Sequence, residues 1–416
     1  MTTLLTNSRW LMLNTGGNNF LVILLFFFMS GCQQSRESFS DFQTKFIEHP
    51  PQESGLDFIN SLDEARLKNP FAYINAYNGG GVAIGDVNND GLQDVYMTGN
   101  MVSSKLFLNK GNFTFEDVTQ KAGVGTKGWC SGVTMADVNN DGWLDIYVCR
   151  TYYDIPAERA NLLFINNGDG SFSERAAQLG VDDENLSIGA SFFDYDRDGD
   201  LDLVVANHPR NRFVSMSVHY NYLQSPVKKF SSRLFRNDGG TFSEMTQEAG
   251  LLSYGFCLGV TTSDLDCDGW PDIYISVDHE EPDLVFHNNG DGTFTNILET
   301  ALKENSRSSM GIDAGDVNHD LYPDILITEM LNEDRFREKI IMSMQSVNRF
   351  QFLVDSLHYK YYQMRNFLHL NNGNGTFSDI GQMAGIARTD WSWAALFMDA
   401  DNDGWQDIFI ANGYYR

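Results

Sequence analysis

The chain has 416 residues, 56 of them Asp or Glu and 29 Lys or Arg, for a formal net charge of -27. That balance argues against a nucleic-acid binder, because neutralising phosphates takes a basic surface. Apolar residues at 42% and aromatics at 13% supply a core and exclude a disordered chain.

At the N-terminus, Arg9 is followed by the apolar run 20–29 and then by Ser30, Gly31 and Cys32. The run is too short to span a bilayer, which takes roughly 20 apolar residues, and suits the core of a secretory signal. Met29-Ser30-Gly31-Cys32 resembles the lipobox of bacterial lipoproteins, although Leu is commoner than Met at its first position. The resemblance implies a signal peptide over 1–32 and lipidation of Cys32. The mature chain is then extracytoplasmic and tethered to a membrane of the bacterial cell envelope, with the outer membrane expected. An uncleaved anchor, or an apolar stretch with an incidental Cys, is the alternative. Residues 33–70 read as a linker, within which Ser54-Gly55-Leu56-Asp57-Phe58 mimics the end of a repeat and is a candidate strand to close a ring.

From residue 71 to 416 the acid concentrates in one recurring string, Asp-x-[Asp/Asn]-x-Asp-Gly-x-x-Asp. It occupies 86–94, 137–145, 194–202, 264–272 and 399–407, with a sixth copy at 316–324 that has Leu321 in place of Gly. These windows hold 22 of the 56 acids, which a merely solvated face would not do. Small and apolar residues precede each string and β-branched or aromatic runs follow, as in Ile146-Tyr147-Val148 and Ile273-Tyr274-Ile275, so each string joins two strands. A second hairpin follows, carried by an Asn-Gly-rich turn between Leu106-Phe107-Leu108-Asn109 and Phe113, and likewise at 163–172, 234–242, 285–294 and 368–377. Four of these five copies end in a Gly and an apolar residue, as at Gly123-Val124. Four strands per repeat, recurring at intervals of 51 to 83 residues, predict an all-β chain. The expected architecture is a β-propeller of four-stranded blades, about six to seven in number, with a last blade that is either incomplete at the C-terminus or closed by another strand. A calcium-binding β-solenoid is the rival, but its repeats are far shorter.

The strings have the chemistry of calcium sites. Calcium takes six to eight oxygens at flexible geometry. In the first loop Asp86, Asn88 and Asp90 would offer side-chain oxygens, Leu92 its carbonyl and Asp94 a closing carboxylate, while Gly91 permits the turn. The same register selects Asp137, Asn139, Asp141, Trp143 and Asp145, then Asp194, Asp196, Asp198, Asp200 and Asp202. It continues through Asp264, Asp266, Asp268, Trp270 and Asp272, then Asp316, Asn318, Asp320, Tyr322 and Asp324, and ends at Asp399, Asp401, Asp403, Trp405 and Asp407. Without an ion these carboxylates repel one another; a bound cation reverses that sign. Asp and Gly are also simply good turn formers, but six copies in one register favour the ion. Leu321 resists positive φ, so a weak or distorted site is expected in the loop that carries it. No EF-hand glutamate or flanking helices accompany the loops, which suits a structural ion bound at roughly 10⁻⁴ to 10⁻³ M.

Cys130, Cys149, Cys257 and Cys267 show no zinc or redox spacing and read as unbonded core residues. Insertions at 150–161, 207–233 and 329–367 follow the second strand of their repeats, so they should share one face. They hold 13 of the 29 basic residues, which predicts a locally basic surface that includes Arg210, Arg212, Lys228, Lys229, Arg335, Arg337, Lys339 and Arg365. Phe336, Ile340, Ile341, Met344 and Val347 recur at helical spacing and predict an amphipathic helix docked on a blade edge, with an exposed partner-binding helix as the alternative. Catalytic signatures such as a nucleophile elbow, HExxH or a phosphate loop are absent from the sequence, and a lone loop histidine is more often solvated than catalytic.

The acidic loops with their flanking strands and Asn-x-Gly-x-Phe hairpins resemble the FG-GAP/VCBS repeats of integrin α-subunit-like propellers. The stretch 366–416, with Asp390-Trp391-Ser392-Trp393 and Gly413-Tyr414-Tyr415-Arg416, is similar to Bacteroidetes repeat lipoproteins that usually also carry an ASPIC/UnbV module, which this chain lacks. The expectation is a non-enzymatic, calcium-stabilised propeller that binds a protein or glycan on the face bearing 207–233 and 329–367, and meets the membrane through its lipid. An envelope hydrolase or lyase, or an architectural subunit of an envelope complex, is the alternative.

Overall fold

A computed structural model of the chain describes residues 46–413 apart from 64, 66–73, 153–155, 210–215 and 342–345. Cys32 and the expected signal peptide, Arg210, Arg212, Met344 and 414–416 lie outside the described residues. The rest forms six antiparallel blades around an axis, five of them four-stranded meanders and the sixth a three-stranded sheet. Blade 1 comprises Val82–Gly85, Asp94–Met97, Lys105–Asn109 and Phe115–Asp117; blade 2 comprises Trp129–Ala136, Asp145–Thr151, Leu162–Asn166 and Phe172–Glu174. Blade 3 runs Leu186–Phe193, Asp202–His208, Arg233–Asn237 and Phe242–Glu244, and blade 4 runs Phe256–Ser263, Asp272–Asp278, Leu284–Asn288 and Phe294–Asn296. Blade 5 takes Ile312–Gly315, Asp324–Ile327, Phe367–Asn371 and Phe377–Asp379. In blade 6, Asp390–Met398 pairs with Asp407–Asn412 on one side and with Met330–Leu331 on the other. The acidic string is the turn between the first and second strands in all six.

Alternation along these strands sends apolar residues to both faces, and successive blades bury them on each other. Tyr96 of blade 1 packs with Ile146, Val148 and Phe164 of blade 2, and Leu203 and Val205 of blade 3 pack with Tyr147 and Leu163. A propeller core is therefore a series of sheet-on-sheet layers rather than one centre. Val82 and Ile84 on blade 1 and Leu396 and Phe409 on blade 6 are exposed, whereas Tyr147, the counterpart of Phe409 in blade 2, is fully buried. Cys130, Cys149 and Cys257 are buried thiols within strands, and Cys267 is an exposed thiol.

A buried asparagine joins neighbouring blades. Asn166, Asn237, Asn288 and Asn371 each end a third strand, and each Nδ2 donates to a carbonyl in the acidic loop of the preceding blade: Val87, Val138, Tyr195 and Leu265, at 2.6 to 2.8 Å. Among the described residues, the Asn109 side-chain amide of blade 1 donates to Gln93 O of its own loop and to no neighbouring blade.

The segment 54–58 forms no strand. Pro51–Ser54 makes one helical turn capped by Gly55 at φ 77°, and a Cβ on Gly55 would meet the Phe115 carbonyl of blade 1 at 2.3 Å. Gly180 and Gly250 make the same approach to Phe242 and Phe294 of the following blades. The mimicry of a repeat end is thus structural, but it seats on blade 1 instead of adding a strand to blade 6, because the glycine-capped turn packs and does not extend.

Candidate metal centres

All six acidic loops adopt one hydrogen-bond register. The first Asp accepts from the backbone N–H groups of positions five and six, as Asp137 does from Asp141 and Gly142 at 3.0 and 2.7 Å. The fifth-position carboxylate accepts from position seven, as Asp141 does from Trp143 at 2.9 Å. The ninth-position Asp is the most buried: Asp94, Asp145, Asp202, Asp272 and Asp324 are at most 1% exposed. Each accepts the N–H of loop position two and the N–H of the third-strand asparagine, as Asp202 does from Tyr195 at 2.9 Å and Asn237 at 2.8 Å. The local fold therefore aims carboxylates at one point while backbone donors hold them there.

Burial makes this arrangement costly in the absence of a cation. Desolvation, incompletely offset by those two N–H donors, pushes Asp145 up to about 6, Asp202 to about 7 and Asp272 to about 6; adjacent loop carboxylates add to the shift. Asp94 and Asp324 are raised for the same leading reason.

The loops differ at position three. Where it is Asp, three carboxylates converge: single oxygens of Asp194, Asp196 and Asp202 lie within 4.8 Å of one another, as do those of Asp264, Asp266 and Asp268, and of Asp399, Asp401 and Asp407. Oδ1 of Asp196 is buried and accepts no hydrogen bond. Such an orphaned oxygen, among carboxylates and backbone carbonyls, fits a hard cation of flexible coordination. Where position three is Asn, its amide donates to the fifth-position carboxylate, Asn88 to Asp90, Asn139 to Asp141 and Asn318 to Asp320 at 2.9 to 3.1 Å. The Asp200 side chain is turned away from its loop, accepting from Asn140 and from Gly239 N–H, both at 2.8 Å, so only its carbonyl remains a candidate ligand. Leu92, Trp143, Trp270, Tyr322 and Trp405 likewise would serve through carbonyls.

The expected distortion at 316–324 is absent. Leu321 takes φ 74°, close to the 85 to 95° of Gly91, Gly142, Gly199, Gly269 and Gly404, and its N–H donates to Asp316 at 2.9 Å as the glycines do. Its side chain is 84% exposed, so nothing blocks the conformation except intrinsic strain, about 1–2 kcal/mol.

Position four was not foreseen. Asn89, Asn140, Arg197, Cys267, His319 and Asn402 all sit at φ 56 to 59°, and the first five reach into the next blade's loop. Asn89 donates to Gly142 O and Asn140 to Asp200; Cys267 approaches Leu321 O; the Arg197 guanidinium lies 5.3 Å from the Trp270 ring, and His319 stacks on Trp405 at 4.1 Å. The five contacts come from four residue types, so no single residue-type signal marks them; the constant backbone offset does.

On the opposite face the 207–233 and 329–367 insertions pack together through Tyr220, Leu223, Phe350, Leu353, Tyr359 and Tyr362. Four of the six described basic residues expected on this surface are ion-paired, Lys228 with Glu244, Arg337 with Asp390, Lys339 with Glu338 and Arg365 with Asp379 and Glu304, as are Arg349 with Glu280 and Lys360 with Glu299. Acids of the blades and turns act as counterions to the insertions. The docked helix is also corrected. Arg335–Ile341 and Val347–Gln351 are helical, yet Phe336, Ile340 and Val347 are exposed, because Phe350 and Leu353 make the anchoring contacts. Nearby, buried His219 contacts the Tyr254 hydroxyl at 2.7 Å and Glu281 at 3.3 Å within a shell of aromatic rings.

The model for the FG-GAP-like repeat family matches residues 73–148, 155–205, 264–327 and 357–410. Human cartilage acidic protein 1 is 30% identical over 145 residues, 32% of this chain and 21% of that protein; the mouse protein is 31% identical over 115 residues, 27% and 17%. The chain thus spans about a fifth of the length of the curated relatives it matches. Among solved structures, an Agrocybe aegerita lectin recognising non-reducing terminal N-acetylglucosamine aligns at TM-score 0.43 and 20% identity over 78% of this chain and 72% of its own. The exotype rhamnogalacturonan lyase YesX aligns at 0.40 and 11% over 80% and 53%, and Trypanosoma rangeli sialidase at 0.37 and 13% over 79% and 53%.

Proposed function

The chain belongs to the FG-GAP-like repeat family, and from that premise we propose that it is a calcium-stabilised extracytoplasmic β-propeller that binds a protein or glycan and performs no catalysis. Calcium in the acidic loops would neutralise the converging carboxylates and lock each loop to its neighbour. The lipid on Cys32 would hold the module at the envelope membrane. The observation that carries the binding role is the insertion face: two long insertions fixed to each other by a buried aromatic cluster, with Phe336, Ile340 and Val347 left exposed. Long loops on a rigid scaffold are where recognition concentrates, and exposed apolar side chains there favour a partner surface. Of the histidines of this face, His208 and His219 are buried among rings, which suits packing better than turnover, and His358 is exposed.

The test is capture of envelope proteins and arrayed glycans by residues 33–416 in millimolar calcium, beside a Phe336→Ser/Ile340→Ser variant. Saturable binding lost in the variant supports the reading. No capture of any kind, or consumption of an offered glycan, contradicts it.

A further inference from the structure

The fourth acidic loop differs from the other five in having a nitrogen donor. The residue just before each third-strand asparagine varies with position three of the loop. It is Leu108, Ile165 and Leu370 where position three of the loop is Asn, and Arg236 and His287 where position three is Asp196 and Asp266. Arg236 donates to Asp238 and has no lone pair for a metal. His287 is different. Its Nδ1 lies 3.4 Å from Oδ2 of Asp266 and 3.2 Å from Oδ1 of Asp272.

Building on the reading of these loops as cation sites, we infer that Asp266, Asp272 and His287 form a mixed nitrogen and oxygen site for a borderline divalent transition ion of the zinc class. One donor atom from each lies within 4.8 Å of the others. Metal–ligand bonds of about 2.0–2.2 Å place neighbouring donors about 2.8–3.6 Å apart in tetrahedral or octahedral geometry, and both observed separations fall in that range. Asp272 is 1% exposed and fixed by the N–H groups of Leu265 and Asn288, at 3.0 and 2.8 Å. Asp266 also belongs to a second cluster, with single carboxylate oxygens of Asp264, Asp266 and Asp268 within 4.8 Å of one another. Imidazole suits zinc-class ions, whereas an all-oxygen set suits calcium, so this loop alone would hold its ion against calcium. In chain order the site sits where Arg197 of the third loop and Leu321 of the fifth also meet it, through Trp270 and Cys267.

The experiment is calorimetric titration of Zn²⁺ into residues 33–416 in millimolar calcium, for wild type, His287→Leu and His287→Gln. Leucine is what blades 1 and 5 carry at this position, so the first variant keeps a side chain the repeat accommodates; the second keeps polarity without imidazole. The expected result is one zinc-class ion bound per chain at this site, with affinity falling about a hundredfold in both variants, since even outer-shell changes cost up to about that. The calcium-dependent rise in melting temperature should persist in the variants. Zinc binding that is unchanged in either folded variant, or that millimolar calcium abolishes in the wild type, overturns the inference. Absence of the calcium-dependent rise beside intact His287-dependent zinc binding would instead remove the calcium reading alone.

Discussion

Replacing Asn237 by Ala should destabilise the propeller several times more than the same change at Asn109. The Asn237 side chain is fully buried; its amide donates to Val138 O at 2.8 Å and Leu201 O at 3.1 Å, and its carbonyl accepts from Gly240 N–H at 2.7 Å. Alanine strands two carbonyls and one N–H. Each unsatisfied buried group costs about 1–3 kcal/mol, reduced where water enters the space vacated, so about 3 kcal/mol is expected. Asn109 occupies the same register but serves Gln93 O and Gly111 N–H, both near solvent, and its loss should cost about 1 kcal/mol. Urea unfolding at fixed calcium, comparing midpoints at constant slope, reads the difference. Equal losses, or a larger one at Asn109, would refute the claim that this asparagine works between blades.

Leu321→Gly should raise stability by up to about 1 kcal/mol, because relief of left-handed strain outweighs the greater freedom of glycine in the unfolded chain; the melting temperature at saturating calcium checks this. Glu329, fully buried beside Ser306 and Ser308, is pushed up to about 8 by desolvation. The folded chain then keeps a proton that the unfolded chain releases above its ordinary 4.5. Its contribution is full below that pH and declines by about 1.4 kcal/mol per pH unit until about 8. Glu329→Gln should flatten the fall in stability between pH 5 and 8 when unfolding is followed across that range, while Asp283, raised to about 7 by burial, keeps part of the slope.

Periodicity made the propeller legible. Asp, Gly and Asn recur at fixed offsets because the turn between the first two strands needs a left-handed residue and carboxylates that cap its own N–H groups. Two errors share a cause. Arg337, Lys228 and Arg365 are basic in the sequence, but their partners Asp390, Glu244 and Asp379 are distant along the chain, so composition could not foresee the pairing. Likewise the period of Phe336, Ile340 and Val347 is helical, but which face docks depends on Tyr220 and Leu223 in another insertion. Leu321 erred in the opposite direction: the repeat's hydrogen bonds impose a backbone that the residue alone disfavours. His287 was present in the quoted hairpin, and its significance emerges only when the loop at 264–272 folds beneath it.

Calcium on the loops is the central claim, and thermal unfolding of residues 33–416 in millimolar calcium, in magnesium and in chelator tests it most directly. Each calcium site with a dissociation constant near 10⁻⁴ M would add about 1.4 kcal/mol at 1 mM calcium. A large, calcium-selective rise in melting temperature is predicted. An unchanged transition in chelator, from a chain that is folded throughout, would contradict it.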